Sequence, residues 1–262
     1  MILVITSCIA PPAQKNLSLQ DSNLRYKYTQ EGLENILKCK IFDTIIICDS
    51  SNFDFSTSTI EEMLKNNKVK YEFLKFYGNF DKIQEKGKGY GEGEIMQFLF
   101  NNSKLLYLEP FFYKITGRLY IENLTEIVSK IENTKNYLDI VALKFLQALD
   151  SRFYRFSVED FKKSLIKASD YVDDDKGLWY EVVFRDLLRA NKIKFDQFPV
   201  YPIIRGVSGT HGRDTFEKDI VYLCHVLTTK LHIHNSIFSA VILYIVVKVQ
   251  QLLNTIIIKK ND

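Results

Sequence analysis

The chain opens on Ile2-Leu3-Val4-Ile5-Thr6, repeats that pattern at Thr44-Ile45-Ile46-Ile47-Cys48, and runs through a third such segment from Val69 to Phe76. Short continuous β-branched and aliphatic runs, without polar alternation, are what strands covered on both faces require. Between the first two lies a helical pattern from about Asn23 to Lys38, with Leu24, Tyr28, Leu33, Ile36 and Leu37 on its expected buried side. Between the second and third, Ser58 to Asn66 reads as a short helix. A β-α-β-α-β order dictates a parallel sheet with right-handed crossovers. Ligands in such sheets bind outside the carboxyl ends of the strands. That edge is where Thr6-Ser7-Cys8 and Asp49-Ser50-Ser51-Asn52 fall, small polar groups suited to a base or ribose and equally to a turn with a helix cap. Arg25, on the first turn of the intervening helix, either faces the same edge or is solvated.

At 262 residues and 46% hydrophobic content the chain can bury one large core with a small appendage. A formal charge of +3 gives no electrostatic ground for a nucleic-acid partner. Cys8, Cys39, Cys48 and Cys224 are too dispersed for paired zinc ligands and fit reduced thiols in a cytoplasmic protein. The opening apolar run is short and has no basic leader, so it reads as a strand rather than an export signal.

Four of the eleven glycines crowd into Gly87-Lys88-Gly89-Tyr90-Gly91-Glu92-Gly93-Glu94. A helical segment beginning at Glu92 follows, so exposed backbone N–H groups, with Lys88, are expected to meet an anion there. The preceding Asp81 to Lys86 segment is too charged for the strand a dinucleotide fingerprint needs, and no Gly-Lys-Ser or Gly-Lys-Thr supports a Walker loop. Next come apolar runs at Leu105 to Leu108 and Phe111 to Ile115, the latter closing on Lys114-Ile115-Thr116-Gly117-Arg118. Two cations, a hydroxyl and a flexible backbone at a strand end suit a diphosphate or a sugar. The two stretches together point to a nucleotide-sugar site.

Further on, a helix is expected from Asn123 to about Asn133, Ile140 to Leu149 fits helix or strand, and Asp150 to Phe156 alternates as a half-buried strand does. Ser157 should cap a helix over Val158 to Ala168. Asp173-Asp174-Asp175 does not end an apolar strand and reads as a solvated loop rather than a metal site. Glu181, two residues after the only tryptophan, Trp179, begins an amphipathic helix ending near Ala190. Partial desolvation beside aromatic rings would raise its pKa and fit it as a general base. Phe198 to Ile204, with Pro199 and Pro202, reads as an edge strand. The loop after it carries Arg205, Ser208, His211 and Arg213 and is flexible enough to close over a diphosphate. The tail from 216 to 262 holds an apolar run, Ile237 to Val247, too short for a membrane span and interrupted at Lys248, Gln250 and Gln251. It is expected to pack on the domain, to dimerise, or to lie at a membrane surface.

Taken together, Thr6-Ser7-Cys8, Cys48 to Asn52, Gly87 to Glu94 and Phe112 to Arg118 resemble a group of bacterial glycosyltransferases of capsule and lipopolysaccharide assembly. The resemblance covers roughly residues 1–215, and Tyr180-Glu181 and Gly206 to Gly209 fit it more loosely. It implies a GT-A-like α/β fold, a mixed, mainly parallel sheet flanked by helices, with a nucleotide-sugar half over about 1–120 and an acceptor half over 121–215. It implies a nucleotide-sugar donor, a saccharide or lipid-linked acceptor, and work at the inner face of the membrane. Thr6, Ser7, Cys8, Arg25, Asp49, Asn52, Lys88, Gly89, Gly91, Glu92, Thr116 and Gly117 would then line the donor, with Glu181, Arg118 and Lys114 catalytic. Where that fold usually places Asp-x-Asp to hold manganese or magnesium, this chain has Thr116-Gly117-Arg118, so Lys88, Lys114 and Arg118 are expected to supply the positive charge instead. Two rivals remain at this stage: a nucleotidyl- or polyol-phosphate transferase, and a membrane-associated assembly protein without catalysis.

Overall fold

The computed structural model describes residues 1–12, 18–143 and 146–207, with backbone alone at 140–143 and 146–148. Its centre is a six-stranded sheet. In chain order the strands are β1 (Ile2–Ser7), β2 (Thr44–Asp49), β3 (Lys70–Lys75), β4 (Phe111–Thr116), β6 (Tyr137–Leu143) and β7 (Leu146–Ser157), and across the sheet the order is β3-β2-β1-β4-β7-β6. The first four run parallel, while β7 lies antiparallel to both β4 and β6. The ambiguous Ile140 to Leu149 segment thus belongs to two antiparallel strands. A separate pair joins β5 (Leu119–Ile121) to β8 (Ile204–Gly206). The strand order led to a parallel sheet, as the first four strands form, and the mixed, mainly parallel sheet is the one the resemblance implied.

Both faces are covered, as the continuous aliphatic runs require. Ile2, Val4, Ile46 and Phe112 pack under α4 (Lys88–Asn102) and α7 (Tyr180–Ala190), with Met96, Leu99, Val183 and Phe184 against them. Leu3, Ile5, Ile45 and Ile47 pack under α1 (Ser22–Lys38) and α2 (Thr59–Asn66). Asp21 and Ser58 accept backbone N–H groups at the starts of α1 and α2, and Ser157 does so for α6 (Val158–Ser164).

Several expectations are corrected. In α1 Leu33, Ile36 and Leu37 are buried as expected, but in the first two turns Arg25 and Thr29 are buried in place of Leu24, which is exposed, and Tyr28, which is partly exposed. The charged segment before the glycines is a helix, α3 (Phe80–Lys86), and α5 (Leu124–Lys130) is shorter than its pattern suggested. Of the expected edge strand Phe198 to Ile204, only its last residue is in β8. The largest correction concerns Gly89, Gly91 and Gly93, which lie inside α4 rather than before it. A Cβ on Gly93 would sit 2.8 Å from the backbone N of Ser169, and one on Gly89 would sit 2.9 Å from the backbone N of Tyr180. These two glycines let α4 approach its neighbours more closely than any side chain would allow. Among the described residues no helix is long and apolar enough to cross a membrane. Ser208, His211, Arg213, Cys224 and the 216–262 tail lie outside the described residues.

Candidate active site

The register of the parallel strands sets Ser7 beside Asp49 and Thr6 beside Thr116, so the expected site residues of β1, β2 and β4 share one carboxyl edge. The loops after β1 and β2 are held by Asp49, which is fully buried. Its Oδ2 accepts from Ser7 Oγ at 2.7 Å and Ile9 N at 2.9 Å. Its Oδ1 accepts from Ser51 N at 2.8 Å, Ser51 Oγ at 2.5 Å and Phe53 N at 3.1 Å. Both oxygens are therefore spent within the chain, and so is the Ser7 hydroxyl. The expectation that these side chains bind a nucleoside is corrected: Asp49 ties the loop after β1 to the loop after β2. The backbone completes the frame, with Ser50 N donating to Ser7 O at 3.0 Å and Asn52 N, at φ 57°, donating to Phe76 O at 2.9 Å. Replacing Asp49 by Asn turns one acceptor oxygen into a donor facing other donors. We expect a loss of about 1–3 kcal/mol in urea unfolding, larger than a surface Asp→Asn change would give.

The next stretch of the edge is cationic. Arg25, 3% exposed, reaches back from α1 and donates through Nε to Leu19 O at 2.9 Å and through Nη1 to Cys8 O. Arg118 follows β4 with φ at 75°, an unusual backbone for a long side chain. It is 8% exposed, and its Nε has no hydrogen-bond partner among the described residues. Burial first, and then the charge of Arg25, push the Arg118 pKa down to about 10, with Cys8 and Glu92 pulling the other way. Burial likewise lowers Arg25, and Lys88, which also feels Arg25. The Cys8 thiol is pushed up, chiefly by burial. Two buried arginines thus lie within electrostatic reach of each other, with the partly exposed Lys88, which also feels Asp174, near Arg25; an anion would relieve the arginines.

The start of α4 is already capped by the protein. Gly87, at φ 98°, brings Asp174 Oδ2 to 3.1 Å from Lys88 N. The expected phosphate cradle of glycine N–H groups is therefore corrected: an internal carboxylate occupies that helix end.

Lys114 is also corrected. It is fully buried, and its ammonium donates to Glu92 Oε1, to Thr116 Oγ1 at 3.0 Å and to Ser151 O at 2.8 Å, using all three protons. It cannot turn to a diphosphate and instead fixes Glu92 on α4 against β4 and β7. Gly117 N donates to Thr6 O at 2.7 Å, and a Cβ there would lie 3.0 Å from that oxygen. Thr6 Oγ1 itself is buried without a partner among the described residues.

Glu181 stands at the start of α7 and accepts from Ser151 Oγ at 3.0 Å. Burial raises its pKa, with Asp150 and Glu92 adding to the rise, while hydrogen bonds from its own backbone and Ser151 oppose it. Nearby, Arg152 N, Nε and Nη2 all donate to Asp150. Ser151, which links Lys114 to Glu181, escaped sequence reasoning: it lies within the alternating segment from Asp150 to Phe156, and only the fold gives it this position. Asp174, read from the sequence as part of a solvated loop, is instead half-buried and caps the start of α4.

Arg205 pairs with Glu122, so its charge is engaged on β8. A Cβ on Gly206 would meet Arg118 O at 2.1 Å. The chain after β8 therefore departs from directly beside Arg118.

No family model and no curated protein sequence matches this chain. Among solved structures it is similar to an active-site mutant of LgtC, at 7% identity and a TM-score of 0.48 over 72% of this chain and 70% of that one. It is similar to the glycosyltransferase GlyE of Streptococcus pneumoniae TIGR4 at 12% identity and 0.45, over 75% of this chain and 44% of that one. It is also similar to a nucleoside-diphosphate-sugar pyrophosphorylase from Vibrio cholerae RC9 at 8% identity and 0.47, over 76% and 91%. Likeness at this level carries no functional argument, so function has to be argued from the residues of the site itself.

Proposed function

We propose that this protein is a glycosyltransferase that moves a sugar from a nucleoside-diphosphate donor to a hydroxyl of a surface polysaccharide or lipid-linked saccharide. The observation that carries the reading is Arg118, a buried guanidinium with an unpartnered Nε at the carboxyl edge of β4, beside a second buried arginine. Desolvated like charges with open donors are costly unless an anion completes them. A diphosphate is an anion of the right charge and reach for Arg118, Arg25 and Lys88. The nucleoside would lie against the loops that Asp49 holds, and the acceptor would approach from the β7 and α7 side, where Glu181 stands.

In this reading Glu181 removes the proton from the acceptor hydroxyl as that oxygen bonds to the anomeric carbon. The bond from that carbon to the diphosphate breaks, and the arginines receive the charge of the departing nucleoside diphosphate. If configuration is retained, Glu181 orients the acceptor. The residues in place of Asp-x-Asp do not fit a divalent ion, because Arg118 stands where a ligating carboxylate would be needed and no group of three or more His, Cys, Asp or Glu side chains among the described residues could hold one. Residues from 1 to about 120 then form the donor half and 121–215 the acceptor half, acting at the inner face of the membrane, with Ser208, His211 and Arg213 serving the diphosphate; Arg205 is spent on Glu122 and takes no part.

The test is Glu181→Gln. Donor binding should persist while transfer falls by about a hundredfold or more, the scale of a lost general base. Because burial raises the Glu181 pKa, the wild-type rate should climb with pH through a value above the ordinary carboxylate range, and the variant should lose that limb. Unchanged turnover would remove Glu181 from the mechanism. Release of pyrophosphate instead of a nucleoside diphosphate would replace the reaction with nucleotidyl transfer.

A further inference from the structure

The end of the sheet opposite the candidate site has a character of its own. The parallel register aligns Ile2, Thr44, Lys70 and Phe112 at the starts of β1 to β4, so the segments leading into those strands share one amino edge. The start of α6 joins that edge, because Val158 N donates to Pro110 O at 2.9 Å. Exposed lysines gather there: Lys40, Lys68, Lys70 and Lys104 where the chain enters the strands, and Lys162 and Lys163 on α6. None of them joins an ion pair among the described residues, whereas Lys27, Lys75 and Lys176, elsewhere on the surface, each hold a carboxylate. For a chain of formal charge +3, this concentrates positive potential on one face. Carboxylates in the same segments are engaged. Asp43 and Glu109 meet the terminal ammonium of Met1 at 2.8 and 3.8 Å, and Glu72 accepts from Ser103 Oγ and from the N–H groups of Lys104 and Leu105. Glu159, in the first turn of α6, is the exposed exception.

Apolar side chains stand among these lysines. Tyr107 is 47% exposed and Leu108 59%, and Lys162 Nζ lies 5.7 Å from the Tyr107 ring centroid. Between the ends of α1 and α2 a groove of about 510 Å³ is floored by Leu37, Phe42 and Ile45 and rimmed by Lys40, Asn67 and Lys68. Unpaired ammonium groups around exposed tyrosine and leucine complement anionic headgroups lying over hydrocarbon: the cations meet the headgroups, and the apolar side chains enter the boundary beneath. A soluble acidic ligand would use the lysines and leave Tyr107 and Leu108 in water.

We propose that the amino edge of the sheet docks onto an anionic lipid surface, with Tyr107 and Leu108 entering the headgroup boundary and the lysines meeting lipid phosphates. The orientation follows from the strands. Each of β1, β2 and β4 has six residues, a span of about 20 Å, so the edge that carries Arg118 stands away from the bilayer by that height. If that edge performs the transfer proposed above, a lipid-linked acceptor reacts at a sugar distant from its lipid. This consequence rests on the transfer reading; the docking does not.

The experiment is sedimentation of the full chain with vesicles of phosphatidylcholine alone and of phosphatidylcholine mixed with phosphatidylglycerol, with no sugar donor present. Wild type should partition onto the anionic vesicles about tenfold or more in preference, and salt should weaken the preference. Lys40→Gln/Lys68→Gln/Lys104→Gln should lose about a hundredfold in that partition, near fivefold for each lysine, with melting curves showing that the fold is kept. Lys27→Gln/Lys75→Gln/Lys176→Gln removes the same charge from elsewhere and should bind as wild type. Orientation is read on vesicles of brominated lipid in a Trp179→Phe background: Tyr107→Trp should be quenched, and Tyr77→Trp, beside Ser51 at the opposite edge, spared. Several results would overturn the proposal. Wild type indifferent to anionic lipid would do so, as would equal losses in both triple variants, which reduce the effect to net charge. Full binding by the first triple variant would make the 216–262 tail the contact. Self-association without lipid, lost in that variant, would make a second copy the occupant. Quenching of Tyr77→Trp in place of Tyr107→Trp would put the wrong edge on the membrane.

Discussion

Arg118→Ala is expected to abolish nucleoside-diphosphate binding while leaving the fold intact or more stable. The guanidinium is desolvated, sits beside Arg25, and has an Nε without a partner. Removing it eliminates an uncompensated buried charge, while the backbone at φ 75° is as strained with alanine as with arginine. The binding loss should be large, on the order of 100-fold or more, because a charged hydrogen-bonding group facing a phosphate in a low-dielectric site is worth several kcal/mol. Arg118→Lys tests the geometry separately. An ammonium keeps the charge but not the planar fork, so affinity should return only in part. The combination to look for is lower affinity with an unchanged or higher melting temperature. A structural arginine would give the reverse.

The second large effect is at the glycines of α4. By helix propensity alone, Gly93→Ala and Gly89→Ala should each stabilise the protein, since alanine is favoured over glycine by about 1 kcal/mol in a helix interior. Packing predicts the opposite sign. The new methyl on Gly93 would meet the backbone of Ser169 at 2.8 Å, and that on Gly89 the backbone of Tyr180 at 2.9 Å. Backbone cannot rotate away, so α4 must shift, at an overpacking cost of about 1–3 kcal/mol per site. Gly91→Ala is the internal control, because its methyl would meet the tip of the Ile83 side chain, which can move. Chemical denaturation should rank Gly91→Ala as the mildest of the three. Since α4 carries Glu92 and packs against the start of α7, the double variant at 89 and 93 should also lose transfer activity out of proportion to its stability.

These glycines show where sequence reasoning stopped. Four glycines in seven residues argue against a helix locally; Gly87 does stay outside it, and the other three enter α4, where Gly93 and Gly89 meet Ser169 and Tyr180 from far along the chain. By contrast β1 and β2 were legible because a continuous β-branched run has few other solutions, and the starts of α2 and α6 because a serine precedes acidic residues. Charge was the least legible property. Lys114 and Arg118 look equivalent in the sequence, yet strand alternation puts Lys114 inside the sheet against Glu92 and Ser151, while the turn after β4 leaves Arg118 with an open donor. Asp49 presented the same difficulty: a carboxylate at a strand end looks like a ligand contact until its five donors are found within the chain. Arg25 went the other way. The first turn of α1 fitted either solvent or the strand edge, and the fold buries Arg25 at that edge against Leu19 O and Cys8 O.

The account rests on a diphosphate held by protein cations at the edge formed by Arg25, Lys88 and Arg118. The most direct measurement is calorimetric titration of the purified chain with UDP, GDP and CMP in excess EDTA, repeated with manganese. The account predicts that one nucleoside diphosphate binds in EDTA, that manganese adds little, and that CMP, lacking the second phosphate, binds more weakly. Binding that appears only with manganese, or none under either condition, would contradict it.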